Sequence, residues 1–189
     1  MFIRSERLFL RPGWPEDWQE LLERIHDRDV VMNLAHAPWP YTADDAKAFT
    51  RAPQEKRFPH FLVTLPGAEG ARLVGSAGLV KDGAETKLGY WIAREHWGKG
   101  YATEAARAVL GLARALGHSR ITAYHFADNP ASGRVLQKAG FRPTGEMRMQ
   151  RCLARGCEAP ALVYAIVLDA QCGGGDDSVE DAKPEMQAA

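Results

Sequence analysis

The chain has no apolar run approaching the ~20 residues that a membrane-spanning helix requires. Its start, Met1-Phe2-Ile3-Arg4-Ser5-Glu6-Arg7, lacks the long apolar stretch of a secretory leader. These absences predict a cytoplasmic protein with no membrane partner. Cysteine is scarce, with Cys152, Cys157 and Cys172 only. A small odd number excludes a disulfide framework and predicts free thiols. No histidine stands near Cys152 and Cys157, which argues against a metal site there, and no metal is expected. Net charge is absent as well: 24 Lys and Arg balance 24 Asp and Glu over 189 residues. The balance is uneven. After residue 170, Asp176, Asp177, Glu180, Asp181 and Glu185 are set against Lys183 alone, leaving 23 bases and 19 acids before it. That surplus is too small to predict a nucleic-acid partner. Also missing are the Gly-Lys-Ser/Thr of a Walker loop, the third glycine of a dinucleotide fingerprint and the nucleophile elbow of a Ser-His-Asp hydrolase.

What remains is ordinary globular composition, 46% hydrophobic and 25% charged. It predicts one domain over residues 1–170 and a disordered acidic tail over 171–189, opened by Gly173-Gly174-Gly175. Residues 7–11 read as a short strand that Pro12 and Pro15 end. Trp14, Trp18, Leu21, Leu22 and Ile25 then recur at helical spacing, which predicts both tryptophans in the core. Thr42 with Asp45 three residues on predicts a capped second helix. Strands are expected at 58–65 and 73–80, and the turn at Lys81-Asp82-Gly83 pairs the latter with 85–93.

A long amphipathic helix follows Trp97-Gly98-Lys99-Gly100, its buried face marked by Ala102, Ala105, Ala106, Val109, Leu110, Ala113 and Leu116, and stops at Gly117. A strand at 120–126 leads to a helix that Asn129-Pro130 opens and Gly140 closes. Two strands near 146–153 and 161–168 end the order. The crossover from 85–93 through the long helix to 120–126 makes those two strands parallel. The fold class is α/β, with a mixed sheet flanked by helices.

Two loci carry chemistry. Gly98 and Gly100 have no Cβ, so backbone can approach a ligand closely. The helix that follows offers unpaired N–H groups and the positive end of its dipole, an anion site suited to a diphosphate. Lys99 adds charge. At the second locus, Asn129 caps its helix and Ser132 lies in the first turn, near the same sheet edge as the glycine loop.

Four stretches together resemble the GCN5-related N-acetyltransferases: Leu88-Gly89-Tyr90-Trp91-Ile92, Trp97-Gly98-Lys99-Gly100-Tyr101-Ala102-Thr103-Glu104-Ala105, Asn129-Pro130-Ala131-Ser132 and Lys138-Ala139-Gly140-Phe141. Ser5-Glu6-Arg7-Leu8-Phe9-Leu10-Arg11-Pro12 is similar to the branch of the ribosomal-protein N-terminal acetyltransferases RimJ and RimL. The resemblance covers residues 4–168. It implies a central twisted sheet, mostly antiparallel, with two splayed parallel strands. It also implies acetyl-CoA as co-substrate. Trp97, Gly100 and Ala102 fall on the family's phosphate loop, and the backbone N–H groups from Gly98 through Tyr101 and Ala102 to Thr103 are expected to hold the pyrophosphate. The backbone of Trp91, Ile92 and Ala93 is expected to hold the pantetheine arm between the splayed strands. Asn129 matches a residue that bonds the pantetheine amide region, and Ser132 stands near the thioester sulfur.

The reaction implied is direct attack of a neutral amine on the thioester, the acceptor being a protein N-terminus or a small amine. The Ile92 N–H is the candidate oxyanion donor. Many family members place a tyrosine general acid where this chain has Leu136, so Ser132 is the candidate donor, directly or through water. RimJ-like proteins often have an acid where Lys87 stands here. Glu85, two residues away on the same strand face, is the candidate base or else a solvated turn residue. His125 ends a strand near the expected cleft, and His96 precedes the phosphate loop as a structural residue. A free α-amine, with a pKa of about 7.7–8.0, needs only water as base. Trp39 and Tyr41, flanked by Pro38 and Pro40, are candidate substrate-binding residues. The alternative function is a non-catalytic acyl-CoA-binding module that senses the cofactor. Monomer and homodimer are both open, because 151–160 could either join the last strands or form a dimer contact.

Overall fold

The computed structural model of the chain describes residues 1–68 and 70–168; the tail expected at 171–189 lies outside them. One sheet carries the fold, in the spatial order β1 (Ile3–Arg4), β2 (Phe9–Arg11), β3 (His60–Leu65), β4 (Arg72–Asp82), β5 (Glu85–Ile92), β6 (Arg120–Phe126), β8 (Cys157–Val167) and β7 (Arg142–Cys152). Neighbours are antiparallel throughout, except for β5 and β6.

Alternation along the strands divides their side chains between two cores. Leu62, Leu73 and Trp91 face α1 (Trp18–Ile25), α2 (Arg28–Val31) and α3 (Ala43–Arg51), which contribute Leu21, Val31 and Ala46. Phe61, Val63 and Leu88 face the other way, onto Val109 of α4 (Tyr101–Ala115) and Leu136 of α5 (Pro130–Ala139). Among the described residues no helix is long and apolar enough to cross a membrane.

Local chemistry explains the boundaries. Thr42 Oγ1 accepts the Asp45 N–H at 3.3 Å while Asp45 accepts the Thr42 N–H at 2.8 Å, which closes the expected capping box of α3. Asn129 accepts the Ser132 N–H at 3.3 Å with Pro130 in the first turn of α5. Two short elements escape the sequence patterns. β1 has two residues, and α2 is a single turn whose Asp27 cap accepts from Asp29 and Val30. Neither is long enough to show a period.

Trp14 departs from expectation. It precedes the helix, is 48% exposed and lies against the Arg11 guanidinium, 4.0 Å from the ring centre. The cause is Asp17, which accepts the Trp14 N–H at 2.6 Å and both Arg11 nitrogens at 2.7 and 2.6 Å. This folds residues 14–17 into a tight turn. Trp18 packs on the α1–α3 core as expected, with Lys47 4.8 Å from its ring centre.

The last two strands start earlier than the pattern suggests, at Arg142 and Cys157, and form one tight hairpin closed at Cys152↔Cys157. The 151–160 segment therefore joins them within the chain. Both thiols are free. The hairpin tip also anchors the loop after α2: Leu153 N–H donates to Ala35 C=O at 3.0 Å, and Arg155 Nε donates to Met32 C=O at 2.8 Å.

Candidate active site

β5 and β6 are in register at one pair, Lys87↔Thr122. Beyond it they diverge, because β6 is held along its other edge by β8 from Arg120 to Phe126, and β5 by β4. The divergence leaves backbone on the inner edge of β5 without a strand partner. Ala93 N–H donates to Val74 C=O at 2.9 Å, so residues 93 and 91 point toward β4 and Ile92 N–H points into the gap. Ile92 thus has an N–H turned into the gap and free of a strand partner. Ala93 does not: its N–H is spent on β4 and its C=O accepts His96 N–H at 2.9 Å. The Trp91 backbone is turned to β4 for the same reason of alternation. Trp97 fixes the end of the gap by donating its indole N–H to Ile92 C=O at 2.6 Å.

Gly100 caps α4 with φ of 83°, a left-handed conformation in which any Cβ is strained, and a Cβ there would also stand 3.3 Å from the Arg7 guanidinium. The first helical bond is Glu104 N–H to Gly100 C=O at 3.1 Å. The N–H groups of Tyr101, Ala102 and Thr103 therefore have no helical acceptor and point out of the helix end. The N-terminal segment holds this end in place. Glu104 accepts from the Arg7 N–H at 2.7 Å, Arg7 Nε at 2.8 Å and Ser5 Oγ at 2.8 Å, and Arg7 donates to Lys99 C=O at 3.0 Å.

A cavity of about 360 Å³ runs from this helix end into the strand gap. Trp91, Ile92, Trp97, Gly98, Gly100, Tyr101, Ala102, Thr103, Asn129 and Ser132 line it, which brings ten of the twelve expected cofactor residues together. Lys99 and Ala93 are not among its walls. The positive charge comes instead from Arg134 and Lys138 of α5. They are four residues apart on one helix face, a spacing that could have drawn attention to them. His96 also lines this cavity; it is buried, neither ring nitrogen has a partner, and burial lowers its pKa.

At the inner end of the gap, Tyr90 reaches α5. Its phenol oxygen lies 2.7 Å from Ser132 Oγ and 3.2 Å from Ser132 C=O, to which it donates. Burial raises the Tyr90 pKa to about 12, so the proton stays on the phenol. Sequence reasoning missed Tyr90, although it lies within the quoted strand motif. His125 is buried and packs on Tyr164, ring centroids 5.4 Å apart. Its Nδ1 bonds the Phe126 C=O at 2.8 Å, and a carbonyl can only accept, so Nδ1 carries the proton and Nε2 of the neutral ring is the basic atom. Gly133 makes room for that ring: a Cβ there would sit 2.6 Å from His125 Nε2 and 3.2 Å from the Tyr164 hydroxyl. Leu136, one helical turn on, is fully buried in the core.

A second cavity of about 480 Å³ opens on the α1–α3 side of the sheet. Tyr41 and His125 line it; Trp39 does not, and packs its ring on His26 instead, centroids 5.2 Å apart. Glu85 lines neither cavity. Its carboxylate is committed to Arg148 at 3.1 Å and Arg120 at 3.7 Å, at the hairpin end of β5 away from the gap, which removes it as a base. Lys87 does line this cavity, paired with Asp82. The two cavities meet: Asn33, Leu34, Tyr90, Trp91, Asn129 and Ser132 belong to the walls of both.

Comparison with known proteins agrees with this architecture. A family model described as "Acetyltransferase (GNAT) domain" matches residues 7–142. "Probable N-acetyltransferase YjcK" of Bacillus subtilis is 38% identical over 156 residues, 77% of this chain and 86% of that protein. The uncharacterised N-acetyltransferase YoaA of the same organism is 39% identical over 99 residues, 50% of this chain and 55% of that protein. Among solved structures, a GNAT-family acetyltransferase from Bacillus anthracis superposes with a TM-score of 0.76 at 28% identity, over 88% of this chain and 98% of that one. RimL, a ribosomal L7/L12 alpha-N-protein acetyltransferase in complex with coenzyme A, shares the fold with a TM-score of 0.73 at 17% identity, over 90% and 99%. The chain belongs to the GNAT acetyltransferase family and is an acyltransferase enzyme.

Proposed function

We propose that the protein moves the acetyl group of acetyl-CoA directly to a primary amine within a ternary complex, on the pattern of the RimJ/RimL branch. The observation that carries this reading is the meeting of two cavities across Tyr90, Asn129 and Ser132. A cofactor sensor needs one cavity; a two-substrate transfer needs two that share a wall.

The roles follow from position. The free N–H groups at the start of α4, with Arg134 and Lys138, suit the diphosphate. Ile92 N–H, turned into the gap, suits the pantetheine arm or the oxyanion that develops on the acetyl carbonyl. As the C–N bond forms and the C–S bond breaks, the amine proton leaves to water or to His125 Nε2. The departing thiolate takes a proton from the Tyr90–Ser132 pair, and the phenol draws its replacement from solvent. A coenzyme A complex of RimL, a fold relative, supports the choice of acyl carrier.

Calorimetric titration with acetyl-CoA tests the reading, followed by thiol release on a panel of amines. Saturable binding that Gly100→Glu abolishes, with amine-dependent thiol release, is the expected result. Absence of binding overturns it.

A further inference from the structure

The acceptor side of the site has an unusual charge inventory. Three charged side chains line the larger cavity: Lys81, Asp82 and Lys87. Asp82 is its one carboxylate, and that carboxylate is already bonded to the Lys87 ammonium. Lys81 is exposed at the mouth. Lys87 is deeper, its side chain 13% exposed, and its ammonium lies 5.3 Å from the centre of the Tyr124 ring, which also lines the cavity. The histidines do not reverse this balance. His60 Nε2 bonds the Gln54 side-chain nitrogen at 2.9 Å, which an amide N–H can only donate, so Nε2 accepts and the ring is neutral; burial lowers its pKa further. His36 stands close enough to Asp82 to help hold that carboxyl ionised. Outside the cavity, Arg148 is matched by Glu85 and Glu146.

A polyamine or aminoglycoside needs several free carboxylates, and a lysine side chain with a pKa of about 10.4 must lose its proton beside two ammonium groups. This cavity provides the reverse: two ammonium groups against one carboxylate, with Lys87 over the Tyr124 ring and Lys81 left without a carboxylate of the cavity to pair with. The distance matters as well. Three residues of β5, or roughly 10 Å of backbone, separate Lys87 from Tyr90; the odd spacing sends their side chains to opposite faces of the strand, and both still line this cavity, which the strand gap joins to the acyl side.

We propose that the acceptor is a peptide-like α-amine carrying a carboxylate one or two residues from its end, with the amine at Tyr90 and Ser132 and the carboxylate read by Lys87, assisted by Lys81. The inference rests on the acetyltransferase reading above. The Lys87–Asp82 pair is its resting state, and the incoming carboxylate shares the ammonium, which has three donors to offer.

The test is steady-state acetylation of matched peptides, Ser-Asp-Ala-Ala and Ser-Lys-Ala-Ala, with spermidine as a third acceptor, by the full chain and by Lys87→Gln and Lys87→Glu. The acidic peptide is expected to exceed the basic one by roughly tenfold or more in kcat/KM, chiefly through KM. Lys87→Gln should remove the preference and Lys87→Glu reverse it, with acetyl-CoA affinity unchanged; Lys87→Glu, which sets a second carboxylate against Asp82, is expected to melt lower than Lys87→Gln. Lys81→Glu, at the exposed mouth, gives a second reading that does not depend on the half-buried site. Equal use of the two peptides, or preference for spermidine, overturns the inference while leaving the acetyltransferase intact. Failure to bind acetyl-CoA overturns both.

Discussion

The Tyr90 phenol oxygen lies 2.7 Å from Ser132 Oγ, and this contact is the point where β5 and α5 close the inner end of the strand gap. Burial keeps the phenol protonated with a pKa of about 12, so the pair can give a proton to a thiolate throughout the neutral range. Tyr90→Phe is therefore expected to lower kcat by about 10²-fold or more, with little change in acetyl-CoA affinity. Ser132→Ala keeps the phenol and should cost less. In the wild type, kcat should rise as the acceptor amine loses its proton and then stay level to about pH 10, since the tyrosine does not ionise below that. A Tyr90→Phe variant with the wild-type kcat would contradict the proton-donor role, and a wild-type profile that falls near pH 9 would contradict the raised pKa.

Gly133 lies in a helix interior, where alanine is ordinarily the more stable residue by about 0.5–1 kcal/mol. Here the added methyl meets His125 Nε2 at 2.6 Å. The ring cannot turn aside without losing its Nδ1 bond to Phe126 C=O. Gly133→Ala is expected to destabilise by about 1–3 kcal/mol, the range for an overpacked core, and to lower activity together with stability. Thermal unfolding settles the sign. A melting temperature above that of the wild type would mean that the His125 ring is not held as described.

The sequence was legible where local chemistry is strong. Thr42 with Asp45 marked α3, Asn129-Pro130 marked α5, and Gly100 marked the start of α4, because caps act within four residues of the helix they open. The parallel β5–β6 pair followed from the long crossover. Contacts set by tertiary geometry were not legible. Glu85 and Lys87 share a strand face, yet Arg148, 61 residues beyond Lys87, decides that the carboxylate is withdrawn from the site. Ala93 and Ile92 are adjacent, and only the β4 register shows which one has a free N–H. Tyr90 was overlooked because a strand tyrosine gains meaning only when its partner on α5 is known.

Arg134 and Lys138 supply the cationic walls of the smaller cavity, whereas Lys99 is outside it. Arg134→Gln with Lys138→Gln is expected to weaken acetyl-CoA binding by roughly tenfold or more and to flatten its dependence on salt, since paired charges at a surface cleft are screened by ions. Lys99→Gln should change affinity by less than about threefold. Calorimetry at low and high ionic strength makes the comparison. A larger effect at Lys99 than at the α5 pair would show that the diphosphate is met from the loop side chain after all.

Glu104 joins the N-terminal strand segment to the start of α4 beside the glycine loop, and its ionisation links stability to pH. Burial would raise its carboxyl pKa, but hydrogen bonds from the Arg7 backbone and from the Ser5 and Arg7 side chains outweigh burial and hold it below the ordinary value. The folded state thus binds the proton more weakly than the unfolded chain, whose glutamate titrates at about 4.3. The stabilisation is complete above the unfolded value and is lost as pH falls through the lower, folded one. Glu104→Gln is therefore expected to melt several degrees below the wild type at pH 7, and the difference should close as the buffer is taken to acid. Arg7 also carries the Lys99 carbonyl at 3.0 Å, so Arg7→Ala should loosen the glycine loop and weaken acetyl-CoA binding even where the fold persists. Melting curves from pH 7 to acid, run beside acetyl-CoA titrations of both variants, separate the two effects. A Glu104→Gln deficit that stayed constant with pH would show that the side chain acts through packing and not through its charge.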